Sequence, residues 1–248
     1  MQLPITGLEL RYRAPDGEDE MAIAELAFDR PVASGIALLD RLARDAQGER
    51  IDAGALPVTD FELALVGLRR ALVGPDVASD TQCTACGERM DVSFSFDALA
   101  AAAQPRRPAG VLRAPGGRES IDGIVFRLPT AADLCACEGA ADAPLRLSRA
   151  CIDGDAAPGA RRRVQTAMAR LAPALSRTVA VPCAACGAVL SIMIHVPGFV
   201  VREAARAAAG IFEDVHWLAS AYGWREPDIL ALPRARRQRY AARARHGD

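Results

Sequence analysis

Two stretches of this 248-residue chain, CTACGERMDVSFSF from Cys83 and CAACGAVLSIMIHV from Cys183, are versions of one another set 100 residues apart. Each places two cysteines two residues apart and follows them with a glycine. Apolar residues then fall at matching offsets, Met90, Val92, Phe94 and Phe96 in the first copy and Leu190, Ile192, Ile194 and Val196 in the second. A two-residue gap lets one tight turn aim both sulfurs at a single point. Gly87 and Gly187 give the backbone room for positive φ, so that N–H groups can turn toward the sulfur charge. Together the half-sites supply four thiolates, the ligand set of a tetrahedral structural zinc.

Three readings of these thiols stand side by side: one zinc shared by Cys83, Cys86, Cys183 and Cys186, a pair of redox dithiols, or thiols that bind nothing. Neither motif continues into histidine, which removes covalent haem attachment. A redox dithiol sits where a strand hands over to a helix. Here period-two alternation follows each motif, and β-prone residues such as Thr178, Val179 and Val181 precede the second. Each half therefore reads as a hairpin with a metal knuckle at its tip, a zinc-ribbon pattern, and the expected cofactor is one structural Zn2+.

The chain is long enough to bury a real core. Its formal net charge of −1 gives no global pull toward nucleic acid or membrane. All 30 basic residues are arginine, a mark of codon usage in a GC-rich genome before it is one of function. The first residues, MQLPITGLEL, lack a basic start followed by a long apolar run, and no uninterrupted apolar stretch of about 18 residues occurs. A soluble, cytoplasmic protein is expected. Seven cysteines in a reducing compartment again favour metal over disulfides for the paired four. The other three, Cys135, Cys137 and Cys151, lie in alanine-rich helical sequence and read as small buried hydrophobes.

Periodicity predicts an α+β chain: an N-terminal strand and helices over 1–76, a paired-ribbon region with an inserted strand and helices over 77–197, and a C-terminal helical region over 198–248. Leu8 to Arg13 alternates as a strand and ends at the turn residues 14–17. Helices follow over Glu18 to Phe28 and Val32 to Asp45. Thr59 with Glu62 predicts a capping box opening a helix that Gly74 and Pro75 close. Asp97 to Ala103 reads as a short helix. The following QPRRPAGVLRAPGGR reads as a linker with no packed core. A strand over Ile121 to Leu128, helical sequence near Asp133, a loop over Gly154 to Ala160 and a helix over Arg161 to Leu175 lead to the second ribbon. Val200 to Tyr222 carries apolar residues at spacings of three and four, predicting one long amphipathic helix stopped by Gly223. Pro227 and Pro233 then open two short helices around Ile229 and Arg236.

Arg234, Arg236, Arg237, Arg239, Arg243 and Arg245 make the C-terminus locally basic. Such a run could neutralise phosphates, although a solvated helix face is the commoner meaning. His195, His216 and His246 stand near no carboxylate arrangement that suggests catalysis; His195 alone could substitute as a metal ligand. No phosphate loop, nucleophile elbow or paired acids appear, so an enzyme reading has no residues to carry it.

The C-terminal text EDVHWLASAYGWREPDILALPRARRQRY resembles the T-even-type phage baseplate hub assembly chaperones and their relatives in contractile injection systems. Those proteins carry a similar segment, matched here by His216, Leu218, Ala219, Tyr222, Gly223 and Trp224. It continues into an isoleucine-leucine helix and an arginine-rich end, matched by Ile229, Leu230, Leu232, Arg236, Arg237 and Tyr240. The likeness extends upstream through both knuckles and FRLPT at Phe126 to Thr130, covering the chain from about Thr59. Relatives often carry proline within the knuckles where this chain has Thr84, Ala85, Ala184 and Ala185, which are not ligand positions. The resemblance implies a non-enzymatic assembly chaperone or hub component. Its partners would be hub, spike or tape-measure proteins, met through Trp217, Tyr222, Trp224, Ile229, Arg236, Arg237 and Tyr240, with no small-molecule substrate and no membrane. The alternative is a zinc-ribbon nucleic-acid binder using the arginine-rich end.

Overall fold

A computed structural model describes residues 1–75, 77–154 and 156–246. A two-residue strand β1 (Arg11–Tyr12) pairs antiparallel with β2 (Ala43–Arg44), and between them lie helices α1 (Gly17–Ala24) and α2 (Pro31–Leu42). The strand is shorter than the alternation over 8–13 implies, because Leu8 and Glu9 belong to a tight N-terminal loop in which the Leu3 amide donates to Leu8 and Gln2 bridges Glu9. Asp16 opens α1 with a reciprocal box: its carboxylate accepts from the Asp19 amide at 2.8 Å, and Asp19 accepts from the Asp16 amide at 2.9 Å.

Helix α3 (Val58–Val73) ends at Gly74, whose φ of +99° only glycine takes without strain. Its start differs from the expected Thr59–Glu62 box. The Thr59 hydroxyl donates to the Pro173 carbonyl at 2.8 Å, and Glu62 accepts from Leu175 N, Ser176 N and Ser176 Oγ. Both residues face inward, and long-range partners, an acceptor for Thr59 and donors for Glu62, replace the local cap. Burial pushes the Glu62 carboxyl up, against the pull of the Ser176 and Leu175 donors. Asp60, also fully buried, holds the N-terminal loop by accepting from Ile5 N, Thr6 N and Thr6 Oγ1 at 2.7–3.0 Å.

The first hairpin, β3 (Ala78–Gln82) with β4 (Arg89–Ser93), leads into α4 (Phe96–Ala102), capped by Ser95. The expected linker is in part ordered sheet. β5 (Leu112–Ala114), β6 (Arg118–Ile121) and β7 (Ile124–Phe126) form an antiparallel meander. Asp122 and Gly123, with φ of +51° and +77°, make the two-residue turn between the last two strands. Val111 from that segment is buried beside Phe126, Cys151 and Ile152 in a second, smaller core. α5 (Ala131–Cys137) packs on the main core through Ala131 and Leu134, whereas α6 (Ala143–Cys151) and α7 (Pro158–Leu171) contribute to the second.

Thr130 and Asp133 form the reciprocal box that opens α5, and Arg127 clamps the same carboxylate with two nitrogens, one at 2.7 Å. Partial burial pushes Asp133 up, but Arg127 and the Thr130 amide outweigh it, and the group titrates below the usual aspartate value. A folded-state value below the unfolded one gives stability that is present above about pH 4 and lost as pH falls through the folded value. Asp133→Asn is therefore expected to cost about 1 kcal/mol at neutral pH and progressively less in acid, read from urea titrations at several pH values. An equal cost at all pH values would show that the charge does not matter.

The second hairpin, β8 (Arg177–Pro182) with β9 (Val189–Ile194), repeats the register of the first at the 100-residue offset: Gln82 faces Arg89 as Pro182 faces Val189. Helix α8 (Val196–Ala208) follows, then α9 (Gly210–Tyr222), α10 (Glu226–Leu230) and α11 (Arg234–His246). The single long helix expected over 200–222 is thus two, interrupted at Ala209, where the amide bonds back to Arg206. Gly210 weakens the helix at that point. α8 packs on α1, α2 and α3, whereas α9 packs on α10 and α11. Gly223, at φ +65°, closes α9 as its position predicts.

The largest core joins residues far apart in sequence: Leu38, Leu39 and Leu42 of α2, Phe61, Leu65 and Leu68 of α3, and Val200, Val201 and Ala204 of α8. At the far end α1 meets α10 so closely that a Cβ on Gly17 would lie 2.3 Å from the Leu230 carbonyl oxygen. Backbone cannot yield as a side-chain tip does, so Gly17→Ala is expected to cost about 1–3 kcal/mol, measured as a fall in the thermal midpoint; an unchanged midpoint would mean the two helices are not docked. No helix among the described residues is long and apolar enough to cross a membrane.

Candidate metal centre

The two knuckles meet tip to tip. In each, the first cysteine amide donates to the residue five positions on, Cys83 to Glu88 and Cys183 to Ala188, both at 2.8 Å. The glycine amide returns to the first cysteine carbonyl, at 2.8 Å from Gly87 and 2.9 Å from Gly187. The glycines have φ of +76° and +74°. These paired turns place Cys83, Cys86, Cys183 and Cys186 with all four Sγ atoms within 4.8 Å of one another. Cys83 lies 3.8 Å from Cys186, and Cys86 lies 3.8 Å from Cys183.

Those separations can be set against two kinds of bonding. A disulfide needs sulfurs about 2.05 Å apart, and these thiols are free. Four sulfurs bonded at about 2.3 Å to a central tetrahedral ion would stand about 3.8 Å apart. The cluster therefore fits a metal ion. Cys83 and Cys183 are buried with Leu190, Met90 and Ile192 packed beside them, while Cys86 and Cys186 face solvent. The Cys86 and Ala85 amides point at the Cys83 sulfur and bring its thiol down to about 7. For Cys86 the Glu88 amide pulls the same way, but the surrounding sulfurs Cys186, Cys83 and Cys183 push it up to about 12. Thiols packed this closely resist a second ionisation unless a cation sits between them.

The hairpins are tied into the main core just past the knuckles. Phe94 and Phe96 pack edge to face at 5.1 Å, and both pack against Phe199 of α8 at 5.3 and 5.6 Å. Ile194 and Val196 occupy the corresponding place in the second copy. The side chain of Val92 lies outside the described residues.

His195 is not among the clustered donors. Its Nδ1 accepts from the Gly198 amide at 3.1 Å and caps α8, and burial lowers its pKa. His216 packs against Trp217 at 5.6 Å; the side chain of His246 lies outside the described residues. Cys137 and Cys151 are buried and Cys135 is half-buried. Burial pushes the Cys151 thiol up to about 11, which makes it a poor nucleophile.

The C-terminal positions separate into surface and interior. Tyr222 and Trp224 are 41 % and 36 % exposed, and Trp224 packs on Tyr222 at 5.1 Å and on the half-buried Tyr240 at 5.4 Å. Trp217 is half-buried and Arg236 is exposed. Ile229 and Arg237, expected to meet a partner, are instead wholly buried. Ile229 fills a small core with Leu218 and Ala241. Arg237 pairs with Glu20 of α1 at 2.5 Å and with Asp214 of α9 at 3.3 Å. Arg245 reaches Asp214 at 3.3 Å, and Arg234 donates to the Ala207 carbonyl at 2.8 Å. Half of the arginine run is thus engaged within the molecule, something no local pattern announces.

No family model matches the chain, and no curated protein or solved structure matches it either.

Proposed function

We propose that Cys83, Cys86, Cys183 and Cys186 hold one structural zinc ion, and that the chain is a non-enzymatic assembly chaperone or hub component of a phage-like contractile tail or injection-system baseplate. The sulfur geometry carries the first part. Four cysteine ligands close the coordination shell and leave no position for a substrate or an activated water, which distinguishes a structural from a catalytic site. The two hairpins are then zinc ribbons that share their metal. The bound ion would supply the positive charge that lets all four thiols ionise together, while the knuckle amides orient the sulfurs.

The second part rests on the C-terminal segment. Its likeness to hub assembly chaperones runs through Tyr222 and Trp224, which form an exposed aromatic cluster with Tyr240 at one end of α9. Exposed tryptophan and tyrosine held by neighbouring rings are the residues that anchor protein interfaces. The nucleic-acid alternative has less to stand on. With Arg237 buried and Arg234 and Arg245 engaged, Arg236, Arg239 and Arg243 are the exposed arginines of that run with no ion-pair partner among the described residues.

Gentle affinity purification of the tagged protein from its native host, with mass spectrometry of soluble complexes and sedimented particles, tests this reading. Hub or tape-measure proteins in the soluble fraction alone indicate a transient cytoplasmic chaperone, and recovery in particles indicates a retained subunit. Nucleic acid without tail proteins would overturn the assembly reading.

A further inference from the structure

The segment expected to be an unstructured linker forms one wall of a cationic groove. Two adjoining cavities of about 790 and 300 Å³ share Pro108, Ala109 and Arg170 and run between the loop after α4 and the outer face of α7. Arg106 and Arg107 line one, and Arg162 and Arg163 line the other. Residues 104–171 hold eleven arginines against seven acidic residues, whereas the whole chain is nearly balanced.

Not all of this charge is free. Arg107 is held by Glu119 through bonds of 2.6 and 2.8 Å, and Arg163 by Asp122 at 2.7 Å. Arg106, Arg162 and Arg170 are exposed and have no carboxylate partner among the described residues. The groove is also preformed, because the Arg106 amide donates to the Arg170 carbonyl at 2.7 Å and fastens the loop to the end of α7.

We infer that this groove binds an extended segment of a protein partner, one face of which carries acidic side chains four residues apart with a small apolar side chain midway between them. Unpaired guanidinium groups call for carboxylates. Arg162 and Arg170 stand eight residues apart on one helix, about 12 Å along its axis. Same-face side chains four residues apart in an extended strand recur at about 13 Å, so one strand can meet both. The floor between them is apolar, made by Pro108, Ala109, Ile121 and Ala167. A sugar-phosphate backbone would satisfy the arginines, but no aromatic side chain lines either cavity to stack a base.

The test is fluorescence anisotropy of the full, metal-loaded protein with a labelled peptide repeating glutamate, serine, alanine and serine, which sets glutamate every fourth residue and alanine midway on the same face of a strand, alongside a labelled single-stranded oligonucleotide. The peptide is expected to bind with salt-sensitive affinity. The triple substitution Arg106→Gln, Arg162→Gln and Arg170→Gln is expected to weaken it roughly tenfold or more with an unchanged thermal midpoint. The single variant Arg162→Glu should act in the same direction. Changing Arg236, Arg239 and Arg243 to glutamine should leave peptide binding intact. Failure of the peptide to bind, tighter binding of the oligonucleotide lost in the same triple variant, or loss of peptide binding in the C-terminal variant would each overturn the proposal.

Discussion

Serine in place of Cys83 or Cys183 is expected to lower the unfolding free energy by about 3–5 kcal/mol and to release the metal. The proposed ion links residue 83 to residue 186, and a cross-link closing about a hundred residues removes about 4–5 kcal/mol of denatured-state freedom. Nothing else in the hairpins supplies that. Each is a two-stranded ribbon of five- or six-residue strands, a form that is marginal on its own in water. The damage is expected to spread, since Phe94 and Phe96 on one side and Ile194 and Val196 on the other carry each ribbon into the main core. Metal content by mass spectrometry and thermal unfolding with and without chelator check this. A serine variant that keeps the parent midpoint, in protein that purifies without zinc, would sink the shared-metal reading while leaving the hairpins themselves intact as a finding.

Arg237→Met is the second change with a large expected effect, about 3–5 kcal/mol. The methionine fills much of the space but leaves Glu20 and Asp214 buried without their central cation, and one Glu20 oxygen already has no hydrogen-bond partner. Burial is the main force on Glu20 and raises its pKa despite Arg237 and Arg234. A carboxyl with a raised folded-state value favours the protonated protein, so the term it contributes to stability is present below the unfolded value and lost as pH rises through the folded one. The deficit of the variant should therefore be greatest at and above neutral pH and shrink toward about pH 5. Adding Glu20→Gln should recover part of the loss, and Arg236→Met, on the exposed side of the same helix, should change stability by less than about 0.5 kcal/mol. Equal effects at positions 236 and 237 would mean that α11 is not docked through this ion cluster.

What the sequence determined by itself was local. Two cysteines at a two-residue gap followed by glycine can be read as a knuckle because the turn, the positive φ and the N–H directions all lie within six residues. Gly74, Gly223 and Pro227 mark helix ends for the same reason. The Asp122–Gly123 turn and the Thr130–Asp133 box were equally local and legible in principle, but β-prone residues on both sides let the first pass as part of one strand over 121–128, which the structure divides at that turn. Tertiary structure decided the rest. Thr59 and Glu62 have the spacing of a cap, yet their side chains bond residues more than a hundred positions away because a buried polar group left without a partner is costly, and the partners that packing brings near are distant in sequence. Arg237 sits among six arginines that look alike in sequence, and only the packing of α11 on α1 and α9 turns one of them inward. The four sulfurs are two pairs in the sequence. They become one site because both ribbons are anchored on the same core, and that juxtaposition is a property of the folded chain alone.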